Sequence, residues 1–135
     1  MTLTDAGALV ALVDRNQPQS AQCRATFATL SLPLVTTWPA FAEAMYLVYR
    51  VGGWPLQRNL WEYIEEGMLQ LHPSDEAEQK RMRRLMEQYS DTPMDLADAS
   101  LVTTAEALNL TRIFTLDSDF YVYRINGTNA LEVVP

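Results

Sequence analysis

The apolar residues of this chain fall into two kinds of segment that alternate along it. Short aliphatic and β-branched runs predict strands at residues 2–4, 32–36, 68–71, 113–116 and 130–134. Longer segments with helical spacing predict helices at 8–13, 18–30, 39–51, 54–66 and 74–89, and one more after residue 92. This alternation predicts an α/β fold, in which helices cover both faces of a mainly parallel central sheet of four to five short strands.

Local signals set the predicted helix boundaries. Pro18 and Pro39 suit the first turn of the second and third helices, where a missing N–H costs little. Gly52-Gly53 separates the third helix from the fourth. Ser74 is expected to cap the fifth helix. Thr92 is expected to cap the sixth, which places Asp95 at its third position in a capping box.

Length and composition predict one globular domain covering residues 1–135, of which 48% are hydrophobic. No apolar run approaches the ~20 residues of a membrane span, and no basic leader follows Met1. A cytoplasmic protein with no membrane partner is therefore expected. The single cysteine, Cys23, excludes an internal disulfide and a cysteine-based zinc site. The single histidine, His72, excludes a multi-histidine site and is expected on the surface or in a loop.

The charge balance bears on partners. A net charge of −7 argues, taken alone, against nucleic acid. That argument is weak, because acids that bind a divalent cation would be partly neutralised. Arg81, Arg83 and Arg84 lie together in the fifth predicted helix, either as solvated charges that complement the helix dipole or as phosphate contacts. Arg15 is another candidate phosphate contact.

Asp98 is the one acid that the pattern singles out. At about 100° per residue it falls on the helix face formed by Met94, Leu101, Val102 and Ala105. An unpaired carboxylate there costs on the order of several kcal/mol, so it needs an arginine, hydrogen bonds or a metal ion. A functional role and a buried ion pair both remain open.

Five other acids have simpler explanations when each is taken alone. Asp5 can cap the first helix, and Asp95 can serve a capping box. Asp117 and Asp119 follow the fourth predicted strand and can shape its turn. Glu43 lies on the flank of its helix away from the apolar residues, where a solvated glutamate is the simpler interpretation.

Considered together, these acids predict a metal site. In open α/β sheets ligands bind beyond the carboxyl ends of the strands, where Asp5, Asp117 and Asp119 are expected. Mg²⁺ and Mn²⁺ prefer hard oxygen ligands held on rigid elements. Carboxylates gathered without a cation would repel one another and raise one another's pKa. Metal-assisted phosphoryl transfer is the chemistry that suits such a cluster.

Four segments, read in order, resemble a known family. They are TLTDAGALVALVD near the start, PAFAEAMYLV in the third helix, and MDLADASLV and FTLDSDF near the end. Their order and spacing are similar to those of the PIN-domain ribonucleases, above all the VapC-type toxins of type II toxin–antitoxin pairs. The resemblance spans nearly the whole chain.

The resemblance implies an endoribonuclease that cleaves single-stranded or structured RNA, such as tRNA or rRNA. It implies four acids that hold Mg²⁺ or Mn²⁺: Asp5, Glu43, Asp98 and Asp117. Asp95 and Asp119 would be auxiliary acids, and Thr115 would support Asp117 by hydrogen bonding. The assignment of Glu43 depends mostly on the resemblance. A homodimer and a small cognate antitoxin that covers the site are also implied.

Two other functions remain open. A phosphoacceptor receiver domain also has an acidic Mg²⁺ pocket, but it needs a lysine after its last strand-end turn, and the only lysine, Lys80, lies inside a predicted helix. A PIN fold that binds without catalysis is the second, and the clustered acids argue against it. The helix at 54–66 has more apolar surface than one contact stripe needs, which indicates core packing or a groove for an antitoxin or a second subunit.

Overall fold

Seven strands are present in the computed structural model, which describes residues 1–135. They are β1 (Thr2–Thr4), β2 (Leu34–Thr37), β3 (Leu69–His72), β4 (Arg112–Phe114), β5 (Arg124–Ile125), β6 (Asn129–Ala130) and β7 (Glu132–Val134). Five of them form a parallel sheet in the order β3-β2-β1-β4-β7, which confirms the predicted fold class. The single strand predicted at 130–134 is wrong, because Ala130 belongs to an antiparallel β5–β6 hairpin and only 132–134 join the sheet.

All six predicted helices are present. They are α1 (Ala6–Val13), α2 (Ser20–Phe27), α3 (Trp38–Gly52), α4 (Trp54–Glu65), α5 (Glu76–Gln88) and α6 (Leu96–Leu108). Helix α2 is shorter than predicted, and Pro18 lies in the turn before it. The Asp14 carboxylate stabilises that turn by accepting hydrogen bonds from the Asn16 N–H and the Gln17 amide.

The predicted cap of α5 is wrong by one residue. Asp75, not Ser74, accepts a hydrogen bond from the Glu78 N–H at 2.8 Å, and Glu78 accepts one from the Asp75 N–H at 2.9 Å. The other Glu78 oxygen lies 2.7 Å from Nε2 of His72. His72 therefore ends β3 in a half-buried contact, and the expectation of a surface or loop histidine is wrong.

The sheet lies between two apolar cores. Leu34, Leu69 and Phe114 pack on the face covered by α1, α3 and α4. Leu3 and Ile113 pack on the opposite face, against α5 and α6. Strands buried on both faces need helices on both sides, as predicted. None of the helices combines the length and apolar character needed to cross a membrane.

Helix α4 contributes less to the core than its sequence indicates. Leu60 is its one fully buried side chain, whereas Trp54 and Trp61 are 54% and 38% exposed. The core-packing interpretation of this helix is therefore only partly right. Trp61 also packs edge-on against Phe41 of α3, with ring centroids 5.2 Å apart.

Candidate active site

Four of the predicted acids reach the same edge of the sheet. Asp5 directly follows β1, and Asp117 follows β4. Glu43 lies in α3, which begins where β2 ends, and Asp98 lies in the first turn of α6. Strands β2, β1 and β4 are parallel neighbours, so their carboxyl ends meet. These four acids and Asp95 line one cavity of about 280 Å³, which we call the acidic cavity.

Asp5 combines a capping role with its place in the cavity. One carboxylate oxygen accepts a hydrogen bond from the Ala6 N–H at 2.7 Å and thereby caps α1. The other accepts one from the Thr115 hydroxyl at 2.9 Å. Burial raises the pKa of the Asp5 carboxyl, and the nearby charges of Asp117 and Asp95 raise it further against these hydrogen bonds.

Thr115 supports Asp5 more directly than it supports Asp117. Its hydroxyl donates to the Asp5 carboxylate, and its oxygen accepts from the Asp117 backbone N–H at 3.0 Å. Asp117 accepts from the Asp119 N–H at 2.9 Å and so opens a 3-10 turn over Ser118–Tyr121. Asp117 therefore shapes this turn as well as lining the acidic cavity. Asp119 belongs to the turn and does not line the cavity.

The start of α6 differs from the prediction. Asp95, not Thr92, is the cap, and it accepts a hydrogen bond from the Asp98 N–H at 2.8 Å. Asp98 accepts one in return from the Asp95 N–H at 3.3 Å, so the two acids form the capping box themselves. Met94 is buried, and the Pro93 carbonyl accepts from the Tyr123 hydroxyl at 2.9 Å. These tertiary contacts hold the preceding residues outside the helix.

Asp98 is buried without a cationic partner. It is 8% exposed, and no lysine or arginine is paired with it. Besides the Asp95 N–H, its donor is the Tyr123 hydroxyl at 3.2 Å, whose one proton is shared with the Pro93 carbonyl at 2.9 Å. Burial, followed by the charge of Asp95, raises the pKa of Asp98 to about 7. The buried ion pair that the sequence left open is therefore not formed.

Tyr123 is a residue of the site that sequence reasoning missed. Its side chain is fully buried, with Phe120 and Tyr89 packed edge-on against its ring, each centroid 5.2 Å away. Burial raises the pKa of the Tyr123 hydroxyl, and the charge of Asp98 raises it further. The hydroxyl is thus a neutral donor. A lone aromatic residue in a predicted loop carries no signal for this role.

Glu43 reaches the acids from an exposed position on α3. The residue as a whole is exposed, yet it lines the acidic cavity. The pKa of its carboxyl is raised by burial and then by the charges of Asp95, Asp5 and Asp117. Its oxygens accept no hydrogen bond within the chain, so they are free to turn toward a ligand.

The donor set of the acidic cavity fits a hard divalent cation. Its polar side chains are all carboxylates, and no basic residue lines it. Burial, followed by repulsion between the acids, raises the pKa of three of them, as expected for acids gathered around the position of a positive charge. As the side chains stand, no three of them are placed so that they could hold one metal ion together. Several oxygens are instead held by the chain's own N–H and O–H groups.

Comparisons with known proteins identify the family of the chain. A family model of the PIN domain matches residues 2–126. The chain belongs to the PIN domain family. That membership confirms the resemblance and sets aside the receiver alternative. No curated protein sequence matches the chain.

Two solved structures are similar to this PIN domain in fold. One is Mycobacterium tuberculosis VapC20, described as a sarcin–ricin loop cleaving toxin, with a TM-score of 0.83 at 11% identity over 90% of this chain and 94% of that one. The other is a toxin–antitoxin complex from Klebsiella pneumoniae, with a TM-score of 0.72 at 15% identity over 100% of this chain and 97% of that one. At such identities the likeness concerns the fold.

A buried hydroxyl pair links the two helices that carry acids in this PIN domain. The Thr37 and Ser100 oxygens lie 2.6 Å apart, and Thr37 also accepts from the Ala40 N–H at the start of α3. Ser100 donates to the Ala97 carbonyl within α6. The pair therefore ties the first turn of α3 to α6, the helix of Asp98.

Proposed function

We propose that this PIN domain is a Mg²⁺- or Mn²⁺-dependent endoribonuclease of the VapC toxin type. One observation carries the proposal. Asp5, Glu43, Asp98 and Asp117 come from four separate segments, line one cavity, and have no cation of the chain among them. Family membership and the fold shared with an RNA-cleaving toxin support the reaction class.

The residues of the chain would bind and orient. Asp5, Glu43, Asp98 and Asp117 would hold the ion, with Asp95 and Asp119 as auxiliary acids at the edge. A bound divalent ion would supply Lewis-acid chemistry, activating water and offsetting the negative charge that develops on the phosphate. Thr115 and Tyr123 hold the Asp5 and Asp98 carboxylates in place by hydrogen bonds. Without a cation the acidic cavity repels a phosphate.

The proposed partners follow from the same reaction. The substrate is single-stranded or structured RNA, such as tRNA or rRNA, and the protein acts in the cytoplasm as a nuclease unit spanning 1–135. A cognate antitoxin and a second subunit complete the proposed assembly. Exposed tryptophans support a protein partner: Trp38 and Trp61 line an apolar cavity of about 520 Å³ beside β3. Binding without catalysis is the weaker alternative, because it does not explain why acids without a counter-charge are clustered in one cavity.

The test is cleavage of RNA by the purified protein. Mg²⁺ or Mn²⁺ should promote cleavage, and EDTA should stop it. Asp5→Asn should abolish it, whereas Asp14→Asn should leave it intact. Asp14 is the matched control, because it is also buried and lies at the other end of α1, outside the acidic cavity. Cleavage that persists in EDTA, or that both variants lose equally while folded, would contradict the mechanism.

A further inference from the structure

Two cavities adjoin the acidic cavity, and they differ in charge. The larger, of about 380 Å³, shares Gly7, Leu47 and Leu116 with it. The smaller, of about 140 Å³, shares Leu116 and Asp117 with it and is lined by no basic residue. An RNA strand whose scissile phosphate lies over the acids can continue directly into either of these cavities. We propose that the larger one binds the nucleotide next to the scissile phosphate, and that Arg50 contacts the phosphate of that nucleotide.

Helix α3 sets the spacing between the two sites. Leu47 lies four residues after Glu43, and Arg50 and Val51 lie three and four residues after Leu47, so these side chains share one face of the helix. Glu43 lines the acidic cavity, Leu47 lines both cavities, and Arg50 and Val51 line the larger one. Arg50 lies about 10 Å beyond Glu43 along the helix axis. Glu43 and Arg50, held on one rigid helix, thus face neighbouring positions along a bound RNA strand.

Arg50 is available to bind a phosphate. It forms no salt bridge, whereas Arg81 and Arg112 are each bound through two nitrogens to a glutamate. Its guanidinium lies 5.8 Å from the ring centroid of Tyr46, which is 62% exposed. Arg50 is the one basic residue that lines either neighbouring cavity. An unpaired guanidinium beside a carboxylate cluster favours a phosphate-bearing ligand over an apolar one.

The rest of the larger cavity suits a nucleoside. Val10, Leu47, Val51 and Leu116 give it apolar walls, and its volume falls in the range of small-molecule sites, about 300–1,000 Å³. Its other polar side chain is Gln17, whose amide nitrogen donates to Asp14 at 3.2 Å, which leaves the amide oxygen as an acceptor. A few fixed polar groups in an apolar cavity are typical of selective binding.

This inference rests on the proposed nuclease function, so its test measures binding instead of cleavage. All variants are made in the Asp98→Asn protein, so that RNA stays intact, with Mg²⁺ present. The probe is a short, fluorescent single-stranded RNA of mixed sequence, and its anisotropy is measured over a range of salt concentrations. Arg50→Ala should weaken binding about tenfold and lower the slope of log affinity against log salt by about 0.7. Arg50→Lys should restore the slope, because it keeps the charge.

Arg58→Ala is the matched control. Arg58 also lies over an exposed aromatic ring, 6.0 Å from the centroid of Trp54, but it lines neither cavity beside the acids. The RNA affinity of Arg58→Ala, and its slope against log salt, should equal those of the parent Asp98→Asn protein. If the parent binds RNA and the two alanine variants behave alike, the subsite is wrong and a protein ligand becomes the better occupant of the cavity. If the parent binds no RNA at any salt concentration, the subsite is wrong. If the wild-type protein also cleaves no RNA with Mg²⁺ or Mn²⁺, the nuclease function fails together with it.

Discussion

Helix α6 carries two poorly exposed carboxylates whose surroundings differ in one respect. Glu106, with 12% of its side chain exposed, accepts two hydrogen bonds of 3.0 Å from the Arg81 guanidinium and one of 2.6 Å from the Asn126 N–H. Asp98, two turns earlier, has only neutral donors and three neighbouring acids. The hydrogen bond to Glu106 raises the pKa of Arg81, as in a satisfied ion pair.

The comparison separates a structural acid from a candidate functional one. The chain supplies the cation for Glu106 and does not supply one for Asp98. Arg81 is therefore used within the fold, and the proposed phosphate track on α5 loses one of its three arginines. A buried carboxylate without a counter-ion is destabilising unless a ligand provides the charge, and this imbalance points to an external cation.

The largest expected effect comes from neutralising the uncompensated acid. Asp98→Asn should lower RNA cleavage by at least about 100-fold, the scale on which removal of one electrostatic group from a site acts. It should leave the fold intact, because the amide oxygen can still accept from the Asp95 N–H. Glu106→Gln should retain wild-type cleavage in the folded protein. Cleavage rates measure the effect, and circular dichroism shows whether each variant is folded. Equal losses of cleavage in the two folded variants would mean that the two carboxylates do not differ in function.

The second expected effect is on stability against pH. The pKa of Asp98 is about 7 in the folded protein, above its ordinary value of 3.8, so the folded state binds more protons than the unfolded state between these values. The metal-free protein should therefore lose stability as the pH rises from about 4 to about 7. Asp5 and Glu43 act in the same direction, since their pKa values are also raised.

Thermal unfolding with and without a divalent ion measures this effect. Mg²⁺ or Mn²⁺ at the higher pH should raise the midpoint, because a ligand bound only by the native state stabilises it. Asp98→Asn should flatten the pH profile of the metal-free protein. If the stability of the metal-free wild-type protein does not change with pH, the pKa of Asp98 is not raised in the folded state.

The third expected effect concerns the compensated acid. Glu106→Gln keeps the size of the side chain but leaves the half-buried Arg81 without its counter-charge. It should lower the free energy of unfolding by about 2 kcal/mol, the scale of a hydrogen bond to a charged group. Chemical denaturation measures the loss. Lys80→Gln is a useful control, because its 3.5 Å pair with Glu76 is exposed and should contribute almost nothing.

The smallest expected effect tests how Asp98 is held. Tyr123→Phe removes the hydroxyl that donates to Asp98 and should weaken Mn²⁺ binding about tenfold, as loss of a group that orients a ligand does. Tyr89→Phe is the control, because its ring packs on Tyr123 while its hydroxyl accepts from the Arg124 N–H instead. Titration calorimetry with Mn²⁺ compares them, and equal affinities in the two variants would count against a positioning role.

Particular residues show how far the sequence could be interpreted. Asp98 could be recognised because its place on an apolar helix face is a local property of the twelve residues from Met94 to Ala105. The cap of the same helix could not, because TPMD and DLAD both have the form of a capping box. Burial of Met94 and the bond from Tyr123 to Pro93, thirty residues away, decide between them.

The chain by itself determined the alternation of strands and helices, the α/β class and the acid-containing segments that resemble the PIN family. These follow from periodicity and from short motifs, which are local. The tertiary structure decided which acids share a cavity, which carboxylate is paired with an arginine, and where a free arginine lies beside the site. Those facts depend on contacts between distant segments, as between Thr115 and Asp5 or Arg81 and Glu106. The spacing of these residues along the sequence does not indicate that they are in contact.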